Sequence, residues 1–224
     1  MNQLHVPFEI ATYSLSGFPT KAELGRFRVM LIVADAISSE KRFVSKGNVF
    51  SGENQEILNA YTHIGGSLIT SCINMPSGAN TTLQSYLFAI PLVSPGIYHN
   101  NSQYYPCVKN GIVTYTYGSD TTFVGAKGYG GYPDISLDLT KIDPVSNGAL
   151  GLIWRAEPQG FGEYIYTYNG SSDSVCYNGF GVGIRYQGVS YNSIYLGFPL
   201  YFVQSDIALE VLRKAFTDCQ MKLQ

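Results

Sequence analysis

A chain of 224 residues is long enough for one sizeable domain with a proper hydrophobic core. Hydrophobic residues make up 45% of it and charged residues 13%, about half the usual charged share. Uncharged polar residues, 24 glycines and 18 tyrosines fill the difference, a composition common in secreted or surface β-rich proteins. The net charge is −2 and no run of Lys or Arg occurs. A phosphate-tracking surface needs clustered cations, so nucleic acid is not expected as a partner. The longest apolar run, Val29–Ala34, is too short to cross a bilayer. Met1 is followed by polar Asn2, Gln3 and His5, so no secretory leader is visible. The chain therefore reads either as cytosolic or as a piece of something larger.

In chain order, residues 7–13 (PFEIATY) read as a short strand, ended by Ser16-Gly17-Phe18-Pro19. Lys21–Leu24 makes one helical turn. Residues 28–34 (RVMLIVA) form a continuous apolar run, the pattern of a strand covered on both faces. Ser51 caps a helix over 53–63 with Ile57, Leu58 and Tyr61 on its apolar face, and Gly65-Gly66 stops it. Residues 67–71 (SLITS) are the next strand. Thr81-x-x-Gln84 has the form of a capping box, opening a helix whose Leu83, Leu87 and Ile90 share a face before Pro91.

From about residue 92 to 148 Gly, Pro, Asn and Tyr dominate, which predicts an irregular, β-rich and loop-rich insertion. Strands then return over 150–155, 163–168, 182–186 and 194–198. The Asn169-Gly170 and Asn178-Gly179 pairs predict hairpin turns. Ser205 caps a closing helix striped by Ala208, Val211, Leu212, Ala215, Phe216 and Cys219. No linker or repeat divides the chain, so residues 1–224 read as one domain. Strand and helix alternation around antiparallel strands predicts a three-layer α/β/α sheet.

Three stretches go beyond this grammar: Tyr132-Pro133-Asp134-Ile135; Gly151-Leu152-Ile153-Trp154-Arg155-Ala156-Glu157; and Gly183-Ile184-Arg185-Tyr186 with Tyr195-Leu196-Gly197-Phe198-Pro199-Leu200-Tyr201-Phe202. In order and spacing they resemble a domain of large secreted multidomain bacterial proteins, of the Bacteroidota and Ignavibacteria type, that is similar to class I glutamine amidotransferases. The front half, from Phe8-Glu9-Ile10 through Pro19-Thr20 to the helix, Gly-Gly and strand unit at 58–71, follows the same pattern. The resemblance implies a flavodoxin-like fold and an extracellular or cell-surface location. It implies as partners the other domains of the same polypeptide, and a cell-surface glycan or protein. Such domains begin with a strand and helix before the strand at Phe8, so a first strand and helix are expected to be missing from this chain.

In amidotransferase-type enzymes a Cys on a tight turn after a central strand is activated by a His and a Glu that follow a later strand. Cys72 follows the strand at 67–71 and is the candidate catalytic residue. Its neighbours Thr70, Ser71, Ile73 and Asn74 lack the glycines of such a turn, and Gly197 to Phe202 contains no His. His63 falls at the far end of the strand, and His5 and His99 lie elsewhere. A buried small residue at a strand end is thus the favoured reading of Cys72. Among the other cysteines, Cys219 reads as a buried thiol, while Cys107 and Cys176 both lie in β-rich sequence and are able to pair. No C-x-x-C occurs, so no zinc site is expected, and no cofactor is expected.

Gly125-x-x-Gly128-x-Gly130-Gly131 leads into Tyr132-Pro133 rather than a helix, which favours a flexible loop over a phosphate cradle. Asp134 and Asp138, with Asp143, are candidate Ca²⁺ ligands whose spacing is too open for a calcium loop, so solvated turn carboxylates are favoured. Trp154 is the candidate ligand-binding residue, as a sugar-stacking ring. Tyr164, Tyr166 and Tyr168 alternate and are expected on one face of one strand. The function expected is a non-catalytic structural or binding module. A Cys72-dependent hydrolase or amidotransferase and a carbohydrate-binding module are the alternatives.

Overall fold

The computed structural model describes residues 8–10, 17–34, 53–72, 89–91, 98–99, 102–109, 112–117, 123–142, 150, 153, 156–171 and 178–219. Among them three helices form: α1 (Lys21–Leu24), α2 (Glu53–His63) and α3 (Ser205–Asp218). The strands of the principal sheet are β1 (Val29–Ala34), β2 (Ser67–Cys72), β7 (Phe123–Gly128), β8 (Ile135–Ser136), β10 (Glu163–Gly170), β11 (Gly181–Gln187) and β12 (Asn192–Leu196). Outside that sheet, β3 (Ala89–Pro91) pairs antiparallel with β9 (Ala156–Pro158), and β4 (Tyr98–His99), β5 (Ser102–Lys109) and β6 (Ile112–Tyr117) form a meander.

The principal sheet runs in the order β1-β2-β12-β11-β10-β7-β8. β1, β2 and β12 are mutually parallel, and every later neighbour is antiparallel. The α/β class expected from the alternation of elements therefore holds. The sheet is mixed, and its far half is an antiparallel array that a wholly parallel, doubly wound sheet would lack.

β1, β2, β11 and β12 alternate their side chains between two cores. Ile69, Ile194 and Leu196 join Val211, Ala215 and Phe216 of α3, while Leu68, Tyr195, Ile184 and Ile32 join Leu58 and Tyr61 of α2. β9 adds Ala156 to this second core and packs beside β11. α1 is closed by a capping box in which Thr20 and Glu23 exchange bonds, and it contributes Leu24 to the same core.

Several expectations are corrected. Residues 8–10 form no strand: Ile10 is 82% exposed, and Glu9 instead pairs with Arg26 beside α1. The apolar run of β1 is covered on both faces as expected, Val29 and Leu31 packing on the α3-side core and Met30 and Ile32 on the α2-side core, but Val33 is 53% exposed. Ile90 belongs to β3 and not to a helix, while Thr81, Leu83 and Leu87 lie outside the described residues. Of the strand expected over 150–155, Leu150 bridges Phe123 and Ile153 belongs to no strand, while residues 151–152 and 154–155 lie outside the described residues; β9 spans Ala156–Pro158. Asn169 and Gly170 are strand residues, whereas Asn178-Gly179 does make a turn, Gly179 taking a φ of +85° and donating to Tyr168 O at 3.0 Å. The closing helix is capped by the backbone of Gln204, which accepts from Ala208 N, and Ser205 is its first residue.

The largest correction concerns the stretch expected to be an irregular insertion. β7 and β8 are integral strands of the sheet, with Phe123, Ala126 and Ile135 buried in the α3-side core. Their glycines mark close backbone approach rather than looseness. A Cβ on Gly125 would collide with the Ile135 carbonyl, and one on Gly128 with the Tyr132 carbonyl. The glycine run is thus half strand and half tight turn, with positive φ at Gly130 and Gly131.

The tyrosines of β10 are divided by a β-bulge. Tyr164 stands opposite Ile184 and Tyr166 opposite Gly183, which leaves Ile165 as the extra residue. Ile165, Tyr166 and Tyr168 turn into the α3-side core, while Tyr164 lies over Gly181 on the other face. A compensating shift at Val182 restores the register.

After β12 the chain does not turn straight into α3. Residues 197–204 run along the carboxyl end of the parallel strands as a strap, placing Phe198 against Phe123 and Tyr166. The strap then joins the end of β8: Asp138 N bonds Phe202 O at 2.7 Å, Gln204 N bonds Ser136 O at 3.1 Å, and Leu137 bridges Val203. Ser71 fastens its start. The buried hydroxyl donates to Phe198 O at 3.1 Å and accepts from Leu200 N at 3.0 Å. Ser71→Ala removes both bonds and strands two backbone groups in a dry site. It is expected to lower unfolding free energy by about 1–3 kcal/mol, measured by urea denaturation against Ser71→Cys as a size control.

Candidate functional site

Cys72 ends β2 and pairs in register with Ala34, so it stands at the carboxyl end of the parallel strands, where α/β sheets place ligands. Its side chain lies outside the described residues. The strap occupies the ground beside it: Phe198 and Leu200 are buried there, and the preceding Ser71 hydroxyl is committed to holding them. His63 sits at the opposite end, in the last turn of α2, its Nδ1 2.8 Å from Asn59 O. The structure does not bring His63 and Cys72 together. His99 and Cys107 are strand residues whose side chains lie outside the described residues, and His5, Cys176 and Trp154 lie outside them altogether.

Asp134 and Asp138 flank β8 without converging. Asp134 accepts the Gly128 N–H at 2.8 Å and so closes the turn between β7 and β8. Asp138 caps the 3₁₀ turn Leu139–Lys141 and pairs with Lys141 at 3.1 Å. Its bonds to the Thr140 hydroxyl and to Lys141 hold its carboxyl below the usual range. Each carboxylate serves local structure, Asp134 through one oxygen, and Asp143 lies outside the described residues. Among the described residues no group of three or more His, Cys, Asp or Glu side chains is placed to hold a metal ion.

The sheet's amino end carries the most concentrated chemistry. Asp218, 6% exposed in the last turn of α3, accepts from Tyr132 Oη at 2.9 Å, from Arg185 Nη1 at 3.0 Å and from Lys214 Nζ. Arg185 reaches outward to Glu163 at 2.7 Å, and the Lys214 ammonium lies 5.2 Å from the Tyr132 ring centre. Burial, then the Asp218 charge, pushes the Tyr132 phenol above its ordinary range. A buried carboxylate at a helix C-terminus faces the negative end of the dipole, so cations are required there. The network meets that need and ties α3 to β10, β11 and the β7–β8 turn. Tyr132 Oη, both Arg185 Nη atoms and Lys214 Nζ each have a carboxylate acceptor within the fold, while Arg185 Nε is buried without one, so the network acts as a clamp.

Beside the clamp a cavity of about 450 Å³ opens between residues 25–28, 64–67, 188–192 and Cys219. It lies where the C-terminal ends of α2 and α3 converge, and Arg26 and Arg28 bring compensating positive charge. Burial, then the Asp218 charge, pushes the Cys219 thiol up from 9.0 to about 12, against the opposing bond from Ser67. This thiol keeps its proton in the folded chain and loses it in the unfolded chain between those values. Its contribution to stability is therefore full below pH 9.0 and falls away as pH rises toward about 12.

None of the clamp was apparent from spacing, because its members are spread from Tyr132 to Asp218. The one available signal was an aspartate near the end of an otherwise apolar helix stripe. Replacing Arg185 by Met is expected to destabilise the chain by about 3 kcal/mol, and the Arg185→Met/Asp218→Asn pair to recover part of that loss, read from urea unfolding midpoints. Cys219 is expected to resist iodoacetamide at pH 8 and to be alkylated once urea unfolds the chain, as followed by peptide mass mapping.

No protein-family model matches the chain, and no curated protein is similar to it. Among solved structures the chain is similar to Gan42B, a GH42 β-galactosidase, with a TM-score of 0.44 and 11% sequence identity. The likeness covers 91% of this chain and 23% of the galactosidase chain, so the chain spans less than a quarter of that protein's length.

Proposed function

We propose that this chain is a non-catalytic structural or binding module of a secreted or cell-surface multidomain bacterial protein, with an amidotransferase-like, flavodoxin-like α/β/α build. The observation that carries the reading is the strap. An amidotransferase-type domain needs an open nucleophile turn at the carboxyl end of its central strands, and here that end is packed with Phe198 and Leu200 and pinned by Ser71. The strap sequence Gly197 to Phe202 holds neither a His nor a Glu to activate a thiol. Support for the three-layer build comes from α2 and α3 contributing to separate cores on alternate residues of the same strands.

As a module, the chain would work through its surface, with the other domains of its polypeptide and a cell-surface glycan or protein as partners. Charged groups buried within it serve cohesion, as the Asp218 clamp does. An electrophilic chloroketone analogue of glutamine, incubated with the folded chain, is expected to give no stoichiometric adduct at Cys72 by peptide mass mapping. A one-to-one adduct at Cys72, abolished by Cys72→Ala, would overturn the reading in favour of a Cys-dependent hydrolase or amidotransferase.

A further inference from the structure

We infer that the open half of the sheet face opposite α3, built from β7, β8 and β10, is a binding surface for a neutral oligosaccharide; this rests on the reading of the chain as a binding module. Among the described residues, the α2-side core on that face extends as far as Ile184 on β11 and Ala156 on β9. Beyond them the bulge at Ile165 sets Tyr164, Thr167 and Asn169 of β10 outward, since Tyr166 and Tyr168 turn the other way. The register places Lys127 opposite Thr167, Gly125 opposite Asn169, and Ser136 opposite Gly125. One further step along the β7–β8 register sets Asp134 opposite Lys127, in keeping with its bond to the adjoining Gly128 N–H.

Two kinds of group share this surface. Tyr129 and Tyr164 are each 43% exposed. Tyr129 is held in place, its N–H bonded to Ile165 O at 2.9 Å and its hydroxyl 3.3 Å from Thr167 Oγ1, which lays the ring over β10. A ring fixed before binding loses little entropy when a ligand stacks on it. Beside the aromatics lie the exposed polar groups of Lys127, Asp134, Ser136 and Asn169, with donors and acceptors interleaved. Gly125 leaves a gap in this row, and the Ile135 carbonyl bars any side chain from filling it.

A pyranose presents an apolar C–H face and a ring of hydroxyls that both donate and accept. Half-exposed aromatic rings beside mixed donors and acceptors match both halves of that chemistry. Charge selects within the class. Lys127 and Asp134 oppose each other and cancel, and the Glu163–Arg185 pair belongs to the α3 side, where Arg185 meets Asp218. The field over the surface therefore has no net sign. A polyanion would meet Asp134 and a polycation Lys127, whereas a neutral sugar offers hydroxyls to both.

Native gel electrophoresis of the folded chain through soluble β-glucan, galactomannan and xylan tests the inference, with polygalacturonate and heparin as anionic comparisons. Retardation is expected in at least one neutral polymer. Tyr129→Ala and Tyr164→Ala are each expected to weaken it by about tenfold, with circular dichroism and urea unfolding showing each variant folded under the gel conditions. Migration unaffected by every neutral polymer would overturn the inference. So would retardation by the anionic polymers alone, or retardation undiminished in the Tyr129→Ala/Tyr164→Ala variant. Silent gels from a chain whose Cys72 stays unlabelled defeat this inference alone, whereas a Cys72 adduct defeats the module reading beneath it.

Discussion

The hydroxyl of Ser71 holds the two ends of the sheet's logic together. β12 lies among the parallel strands, yet α3 has to begin at the far edge, beside β8, to return across the face that needs covering. The chain can make that traverse only along the strand ends, where a bare backbone would strand its polar groups. Ser71 satisfies one carbonyl and one N–H at the start of the crossing, and backbone bonds to Ser136 and Asp138 satisfy the finish. Between them Phe198 supplies the apolar weight, stacked among Phe123 and Tyr166. The position that other α/β sheets keep open for a ligand is here taken by the chain itself.

At the opposite end a second constraint operates. α3 must stop where its carbonyl end meets the β7–β8 turn and the ends of β10 and β11, and the helix places a carboxylate there. Low dielectric makes an unpaired Asp218 intolerable, so the surrounding elements are selected as much by the need to neutralise it as by shape. Tyr132 and Arg185 reach Asp218 from two elements outside α3, while Lys214 adds charge from within the helix, so the helix end is docked from two sides. The strap fixes where the helix begins and the clamp fixes where it ends. Apolar packing along its length then adds energy without having to choose a position.

What was legible in the sequence follows from how local the cause is. α2, β2 and α3 were read to within a residue or so because their apolar periods and the Gly65-Gly66 stop are written in neighbouring positions. β7 was misread because its glycines answer to a backbone contact with β8, and composition reports glycine without reporting what it lies against. The division of the β10 tyrosines escaped for a similar reason. Strict alternation was assumed, and a bulge, which leaves no mark in the pattern, moved one residue out of phase. Ser71 passed as an ordinary strand residue, since its partners are 127 and 129 positions away. The Asp218 clamp was invisible on the same grounds.

The extra residue in β10 has a reach beyond local geometry. Glu163 faces α3 and can meet Arg185, while Tyr164 immediately after it faces the other way. Because Ile165 is left out of the pairing, its loss would keep Glu163 opposite Arg185 and Tyr164 opposite Ile184, so both side chains would hold their faces. What the extra residue adds is a second consecutive side chain, beside Tyr166, for the α3-side core. A codon lost there would cost packing under the helix and leave the phase of the flanking residues intact.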